Sequence, residues 1–222
     1  MKLLGISTAF QTLSLSISDG QNLMSAVSIK ESLAYAEKIT GLISDIFAEL
    51  KFELHSLDGI AVNLGPGTFT GLRIGLSTAK GLAFGSELKL YGYTSFEELV
   101  SAAIRIKNVS GRVSVLIDSR KDEFYSANYN VSGEKFTLID SFELVNLHEA
   151  IQIGTASDFL IIPEDSKCVE EFGKILKNIV RVRPNSFSGC LLVQTDKWKY
   201  LIDNFDYLEP IYLKNFVPKI RK

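Results

Sequence analysis

The chain has 222 residues, of which 46% are hydrophobic and 10% aromatic, so it can form one large domain or two lobes with true cores. Its formal charge of -2 excludes a general basic surface able to hold nucleic acid without a local patch or a partner. The isolated Cys168 and Cys190 lack metal or disulfide spacing. No stretch reaches membrane-spanning length, and the N-terminal apolar run is broken early by polar residues, so we expect a cytoplasmic protein without membrane contact.

The first thirty residues predict three β-strands. Residues 3–6 indicate a central strand, and residues 12–18 alternate strictly between polar and apolar side chains, which is typical of a half-buried antiparallel strand. Asp19-Gly20 predicts a hairpin turn, after which residues 23–29 return as a third strand. The turn between the first two strands begins at Ser7.

Residues 31–50 form the clearest amphipathic helix, with charged and polar side chains on the side opposite the apolar one. The apolar sector is unusually broad, so two interpretations stay open: a helix that only faces the core, or one that also pairs with a second subunit. The side chains of this sector are Tyr35, Ile39, Leu42, Ile43, Ile46 and Phe47.

The least random stretch is residues 65–75, Gly-Pro-Gly-Thr-Phe-Thr-Gly-Leu-Arg-Ile-Gly. The β-branched run before it predicts a buried parallel strand, and helix formers follow from residue 72 to residue 84. The stretch is therefore a strand-loop-helix turn, in which glycines permit special backbone angles and Thr68 or Thr70 supplies the N-cap oxygen.

Three roles remain open for this turn. Free amides at a helix N-terminus can hold a phosphate, although the spacing is neither that of a Rossmann turn nor that of a P-loop. The turn can also be purely structural. Thirdly, Gly71, Gly75 and Ala79 recur every four residues, continued by Leu82, and give a flat stripe for close helix packing, inside the domain or between chains.

The remaining pattern divides the chain into a first lobe, residues 1–107, and a second lobe, residues 108–222. A strand at 89–93 and a capping box opened by Ser95 complete the first lobe. The second lobe begins with a strand, a charged turn and another strand at 112–129, and this order repeats the opening of the first lobe. Further strands are expected at 135–145, 159–162 and 179–182, helices within 146–153, 165–177 and 184–205, and a closing strand at 209–214.

The run at residues 65–75 closely resembles the Gly-Pro-Gly-Ser-Phe-Thr-Gly-Val-Arg-Ile-Gly signature of the bacterial TsaB family, also called YeaZ. Residues 118–123 are similar to the family's Asp-Ala-Arg-Arg-Gly-Glu run, although Asp122 replaces the turn glycine, and residues 209–214 are similar to its Glu-Pro-x-Tyr-Leu-Arg run. The residues taken as the family motif are Gly65, Pro66, Gly67, Thr68, Phe69, Thr70, Gly71, Arg73, Asp118, Arg120 and Glu123.

The resemblance implies an α/β fold, the duplicated two-lobe fold of actin, sugar kinases and Hsp70, with mixed sheets flanked by helices. In that fold the turn after the first strand is a phosphate loop with an acidic residue at the end of the strand. Here the loop begins Ser7-Thr8, where the family often has Asp in the first position. We therefore expect a degenerate loop, and no nucleotide bound by this chain alone. The charged turn at Asp118 is either a solvated loop or a polar contact with the cleft or a partner.

The resemblance also implies a non-catalytic subunit. In the family's system the paralogue TsaD transfers a threonylcarbamoyl group to the adenine next to the anticodon of tRNAs that read codons starting with adenine. TsaB pairs with TsaD, the ATPase TsaE binds the pair, and the complex uses ATP and reaches tRNA. Isolated TsaB-like chains are expected to form homodimers through the same face. The implied partner interface comprises Tyr35, Ile39, Leu42, Ile43, Ile46, Phe47, Gly71, Gly75, Ala79 and Leu82.

The residues argue against independent catalysis. A serine hydrolase needs a histidine beside its nucleophile, and a metal hydrolase needs clustered ligands, but the chain has only His55 and His148. The helix that carries a histidine pair in TsaD has Tyr35 and Glu37 here. We expect no catalytic residue and no metal. The alternative is an ATP-binding enzyme of the actin and sugar-kinase superfamily acting on a small substrate, for which Ser7 lacks the required carboxylate.

Overall fold

The computed structural model of the protein describes residues 1–30, 35–119, 122–167 and 169–213. Arg120, Cys168 and the start of the helix predicted from residue 31 lie outside these residues. The strands are β1 (Lys2–Ser7), β2 (Leu13–Asp19), β3 (Asn22–Ile29), β4 (Gly59–Asn63), β5 (Lys89–Tyr93), β6 (Gly111–Asp118), β7 (Glu123–Ser132), β8 (Lys135–Leu138), β9 (Glu143–Asn146), β10 (Phe159–Pro163) and β11 (Ile179–Val182). The helices are α1 (Tyr35–Leu50), α2 (Phe69–Ser86), α3 (Ser95–Lys107), α4 (Leu147–Thr155), α5 (Val169–Ile175), α6 (Ser186–Thr195) and α7 (Lys197–Tyr200).

The two sheets repeat one topology. The first has the strand order β3-β2-β1-β4-β5, and the second has the order β8-β7-β6-β10-β11, with β9 also paired to β7. In each, the first three strands along the chain are antiparallel neighbours, and two parallel strands follow on the other side. The predicted fold class is confirmed: this is the duplicated two-lobe α/β fold, with two mixed sheets flanked by helices.

Two helices are exchanged between the sheets. α3 follows the first sheet along the chain, yet its apolar side chains Phe96, Leu99 and Val100 share a core with Val113 and Val182 of the second sheet. α6 follows the second sheet, yet it packs across β1, β2 and β4 of the first. Beyond it, Leu201 bridges to Tyr91, and the Ile211 amide donates to the Leu64 carbonyl at 2.7 Å. Residues 186–211 thus return to the first sheet, so the predicted second lobe, residues 108–222, is not one packing unit.

The exchange explains why the prediction of a half-buried β2 is wrong. The apolar residues Leu13, Leu15 and Ile17 face the core that contains α1 and α2, as the alternation indicates. The polar face is buried too, because α6 covers it: the Ser186 hydroxyl donates to the Ser16 hydroxyl at 2.9 Å, and the Ser186 amide donates to the Ser14 hydroxyl at 3.1 Å. Ser14 and Ser16 are therefore hydrogen-bonded inside the protein, as buried hydroxyls require.

Several local predictions also need correction. The capping box lies one residue earlier than predicted, because Thr94 is the N-cap of α3 and exchanges hydrogen bonds with Glu97. The predicted helix at 184–205 is divided into α6 and α7. Residues 209–213 form no strand. Pro210 has no amide hydrogen to donate, and one backbone hydrogen bond, from the Ile211 amide, attaches the described segment to the turn after β4. None of the helices described has the length and hydropathy that crossing a membrane requires.

Candidate functional site

The turn after β4 is held against the turn after β1. Gly65 has a φ of 109°, which favours glycine, and its amide donates to the Asn63 side-chain oxygen at 2.7 Å. Thr68 precedes the first residue of α2, but its hydroxyl does not accept a helix amide, so the predicted N-cap hydrogen bond is absent. Instead the Thr68 amide donates to the Ala9 carbonyl at 2.7 Å, and its hydroxyl donates to the Thr8 carbonyl at 3.4 Å. One of the amides available to a phosphate is thus already bonded.

The glycine stripe of α2 faces this same turn inside the domain. A Cβ on Gly67 would collide with the Ala9 carbonyl, one on Gly71 with the Thr8 carbonyl, and one on Gly75 with the Thr8 hydroxyl. Ala79, on the same side of the helix, is fully buried. Of the two alternatives left open by the sequence, the stripe packs within the chain. The assignment of Gly71, Gly75 and Ala79 to a partner interface is therefore wrong.

The residues of the predicted phosphate loop point into the protein. Ser7 is 1% and Thr8 0% exposed, and the Ser7 hydroxyl donates to Glu98 at 2.8 Å. The space in front of the α2 N-terminus is occupied by the backbone of residues 8 and 9. This turn therefore does not present an open cradle of amides of the kind that holds a phosphate at a helix N-terminus.

α1 turns most of its predicted interface residues into the core. Tyr35, Ile39, Ile43 and Ile46 are at most 6% exposed and pack with β1, β2 and β4, so they offer little surface to a partner of the folded chain. Leu42, Phe47 and Leu82 are half-buried at the edges of the same core.

Four helical glycines that the sequence pattern did not single out have open space beside them. A Cβ on Gly81 or Gly85 of α2, on Gly41 of α1 or on Gly173 of α5 would meet no described atom outside its own helix within 4 Å. Such glycines weaken a helix by about 1 kcal/mol each relative to alanine. Gly81 and Gly85 are four residues apart on one side of α2, in line with Thr78 and Ile74. We call these four residues the open α2 stripe.

Two of the runs that resemble the family's motifs meet at the surface. The Arg73 guanidinium lies 4.0 Å from the centre of the Phe69 ring, and its Nε donates to the Tyr212 hydroxyl at 3.1 Å. The Phe69 and Tyr212 rings are 5.4 Å apart. Because Phe69 and Arg73 occupy successive turns of α2, they form a platform that anchors the C-terminal segment. Sequence reasoning identified both runs but gave no sign of their contact.

Replacing Tyr212 by alanine should loosen the segment at 209–213, because it removes the ring contact and the acceptor for Arg73. Such a contact stabilises by about 1 kcal/mol, so local opening should become about fivefold more frequent. Limited proteolysis, with the cleavage sites identified by mass spectrometry, measures this opening. The Tyr212→Phe variant keeps the ring and should open less than the alanine variant; equal rates in all three proteins would show that the platform anchors nothing.

The charged turn of the second lobe holds a neighbouring loop. Asp118 accepts the Ser166 hydroxyl at 2.7 Å and the Lys167 amide at 2.8 Å, so it connects the end of β6 to the loop after β10. Glu123 begins β7, and its carbonyl accepts the Ser119 amide at 2.9 Å. Asp118 is thus neither a freely solvated residue nor an open ligand, and Arg120 lies outside the described residues.

A buried carboxyl group that sequence reasoning missed lies beside Ser7. Glu98 of α3 is 0% exposed, and one oxygen accepts both the Ser7 hydroxyl at 2.8 Å and the Asn63 amide at 2.7 Å. Desolvation by burial raises its pKa to about 7, which the hydrogen bonds from Asn63 and Ser7 offset only in part. The sequence offered a weak signal, since Glu98 follows Glu97 in a helix start where one acidic residue suffices for capping.

The histidines do not converge. His55 lies in a short 3-10 turn before β4, and His148 in α4 contacts Gln152 at 3.1 Å. Within the described part of the chain, no three His, Cys, Asp or Glu side chains are grouped so that they could hold a metal ion.

Comparison with known proteins agrees with the motifs. The model of the family "TsaD: tRNA N6-adenosine threonylcarbamoyltransferase" matches residues 30–195. The Escherichia coli (strain K12) protein "tRNA threonylcarbamoyladenosine biosynthesis protein TsaB" is 34% identical over 235 residues, covering 98% of this chain and 96% of that protein. A "tRNA N6-adenosine threonylcarbamoyltransferase" of Geobacter sp. (strain M21) is 41% identical over 66 residues, covering 30% of this chain and 19% of that protein.

The fold is likewise shared with a solved structure. YeaZ from Pseudomonas aeruginosa superposes with a TM-score of 0.80 at 21% identity, covering 96% of this chain and 99% of that chain. This likeness extends over both sheets and the exchanged helices. The 34% identity to the E. coli relative, over 98% of this chain and 96% of that protein, shows that the chain belongs to the TsaB (YeaZ) family.

Proposed function

We propose that this chain is the non-catalytic subunit that pairs with the catalytic paralogue TsaD in forming threonylcarbamoyladenosine next to the anticodon of tRNAs that read codons starting with adenine. The observation that carries the proposal is the match to E. coli TsaB along 98% of this chain. In this proposal TsaE binds the resulting pair, and the complex, acting in the cytoplasm, uses ATP and reaches the tRNA. The isolated chain pairs with a second copy of itself.

The geometry of α2 supports a docking role for its outer side. The open α2 stripe exposes Gly81 and Gly85 where no side chain in the described part of the chain uses the space. Small residues at four-residue spacing let a second helix approach closely, which offsets the cost of glycine in a helix once the partner is bound. We therefore place the partner contact on this stripe and the adjacent Gly41 of α1, with Leu42 and Leu82 at its margin.

The burial of the turn after β1 supports the part of the proposal that assigns no nucleotide binding to this chain alone. Ser7 and Thr8 are buried, and the backbone of the same turn fills the space before α2. The alternative of an ATP-binding enzyme needs an open phosphate cradle and a carboxylate at the position of Ser7. That alternative gains no support from either feature.

A dropout reconstitution tests the proposed function. Unmodified tRNA, threonine, bicarbonate and ATP are incubated with purified TsaD, TsaE and the enzyme that makes threonylcarbamoyl-adenylate, with and without this chain. Mass spectrometry of the nucleosides should detect threonylcarbamoyladenosine only when the chain is present. An equal yield without the chain would reject the subunit role, and turnover by the chain without TsaD would reject its non-catalytic character.

Replacing Gly81 by lysine should separate folding from pairing. The Cβ of the new side chain meets no described atom outside α2 within 4 Å, so the thermal midpoint should stay within a few degrees or rise, because lysine is a better helix former. Affinity for TsaD, measured by calorimetry, should fall at least about tenfold, since the side chain prevents close approach.

The matched control is Gly173→Lys. Gly173 lies in α5, which packs against the second sheet, and a Cβ added there also meets no described atom outside its helix within 4 Å. This control should bind TsaD as the unmodified chain does. If Gly81→Lys still binds TsaD, or if both variants lose binding equally, the open α2 stripe is not the interface. The subunit role would then still be decided by the dropout reconstitution.

A further inference from the structure

A cleft of about 420 Å³ is lined by both halves of the molecule, from Gln21 of the β2–β3 turn to the β7–β8 hairpin. Its walls come from α3, from α6 and α7, and from the β7–β8 hairpin. The floor is apolar and buried, formed by Ile104, Leu191, Leu192 and Tyr200, and Phe136 of the hairpin stands against it, half-buried. This volume and lining are typical of sites for small organic molecules.

One cation in this cleft is fixed in place. The Lys199 ammonium group donates to Glu97 at 2.8 Å and to the Tyr200 hydroxyl at 3.0 Å, and it lies 5.7 Å from the centre of the Phe136 ring. Its side chain is 49% exposed, whereas that of Glu97 is 11% exposed. An ammonium group has three N–H donors, so two contacts leave one N–H for a molecule in the cleft.

Glu97 is committed to positioning Lys199. One of its oxygens accepts Lys199 and the Tyr200 hydroxyl, the latter at 3.2 Å, and the other accepts the Thr94 amide and the Thr94 hydroxyl, both at 2.9 Å. Burial raises the pKa of the Tyr200 hydroxyl, which therefore stays a donor to Glu97. With all these contacts made, Glu97 does not compete with a ligand for the free N–H.

The rim carries charges of both signs. Arg105 and Lys135 line the cleft together with Lys199, against the carboxylates Glu134 and Asp196, and Glu97 pairs with Lys199. Asp196 accepts the Lys199 amide at 3.2 Å and so caps α7. The remaining N–H of Lys199, next to an aromatic and aliphatic floor, suits a planar apolar body that carries one negative charge.

We propose that this cleft binds a small aromatic carboxylate, with the ring between Phe136 and the floor formed by α3 and α6, and the carboxylate on the ammonium group of Lys199. The site goes beyond the proposed subunit function, since it uses neither the open α2 stripe nor the turns after β1 and β6. It joins both halves of the molecule, so a bound ligand restrains their relative position.

Three naphthalenes of equal shape test the charge preference: naphthalene-2-carboxylate, naphthalene-2-methanol and naphthalene-2-methylammonium. Each is titrated into the ¹⁵N-labelled full chain and followed by NMR. The amides of Ser101, Thr137 and Thr195, which line the cleft, report on binding there. We expect the carboxylate to bind with a Kd of about 1 mM or tighter, and about tenfold more tightly than the alcohol.

The variant Lys199→Gln should abolish the preference for the carboxylate while retaining weak binding of the alcohol. Lys197→Gln is the matched control, because Lys197 belongs to the same helix but does not line the cleft; it should bind all three probes as the unmodified chain does. Phe136→Ala should weaken the carboxylate and the alcohol equally. Equal affinity for all three probes, shifts confined to residues outside the cleft, or an unchanged preference in Lys199→Gln would each overturn the proposal.

Discussion

Replacing Gly71 by alanine should destabilise the isolated chain by about 3 kcal/mol or more. The added Cβ would collide with the carbonyl oxygen of Thr8, a backbone atom that cannot rotate away. The turn holding Thr8 is itself fixed, because the Ala9 carbonyl accepts the Thr68 amide at 2.7 Å. Overpacking against a rigid neighbour forces a backbone shift, and here the shift would separate α2 from the β1 turn.

Urea denaturation followed by circular dichroism measures this loss, with Gly81→Ala as the matched control in the same helix. The Cβ of that control meets nothing within 4 Å, so alanine should stabilise the chain by about 0.5–1 kcal/mol through its helix propensity. The two substitutions are chemically identical and should differ in sign. A Gly71→Ala variant as stable as the control would mean that the turn and the helix can separate without cost.

Replacing Glu98 by glutamine should remove the contribution of this residue to the pH dependence of stability. The folded-state pKa of about 7 lies above the ordinary value of 4.5, so the folded state holds the proton that the unfolded chain releases between these pH values. The folded chain therefore loses stability as pH rises from about 4.5 to 7, by about 3 kcal/mol in total. The neutral amide has no such titration, and its oxygen still accepts from Ser7 and Asn63.

The quantity to measure is the difference in unfolding free energy between Glu98→Gln and the unmodified chain, at pH 4.5 and in steps up to pH 8.5. The difference should be near zero or slightly negative at the acid end, rise in favour of glutamine through neutral pH, and level off above it. Glu37→Gln, which removes an exposed carboxylate from α1, controls for the loss of one charge. A difference that does not change with pH would show that Glu98 titrates alike in the folded and unfolded states.

The elements of this protein were predictable because their signals are local. The β-branched run at 60–64, the glycine-rich turn after it and the apolar period of residues 35–50 each depend on neighbours within a few positions, and the structure forms β4, α2 and α1 there. The repeated order of strand, turn and strand in the two halves indicated the duplicated fold. The run at 65–75 also indicated the TsaB family, because it is long and specific.

Which surface each side chain reaches was decided only by the tertiary structure. The serine face of β2 looks solvent-exposed in the sequence, but it is covered by α6, a helix that begins 172 residues after Ser14. Gly71 and Gly81 belong to the same helix, yet the first packs against Thr8 and the second faces open space.

The ionisation of Glu98 was likewise decided by the tertiary structure. Its pKa is set by burial beside Ser7 of β1 and Asn63 of β4, which reach the α3 residue from two strands distant in sequence. Sequence periodicity fixes the orientation of a residue within its own helix or strand, whereas burial depends on which distant element packs against that side. Here the exchange of α3 and α6 between the sheets made that choice, because a helix with an apolar side must cover whichever sheet face lies within its reach.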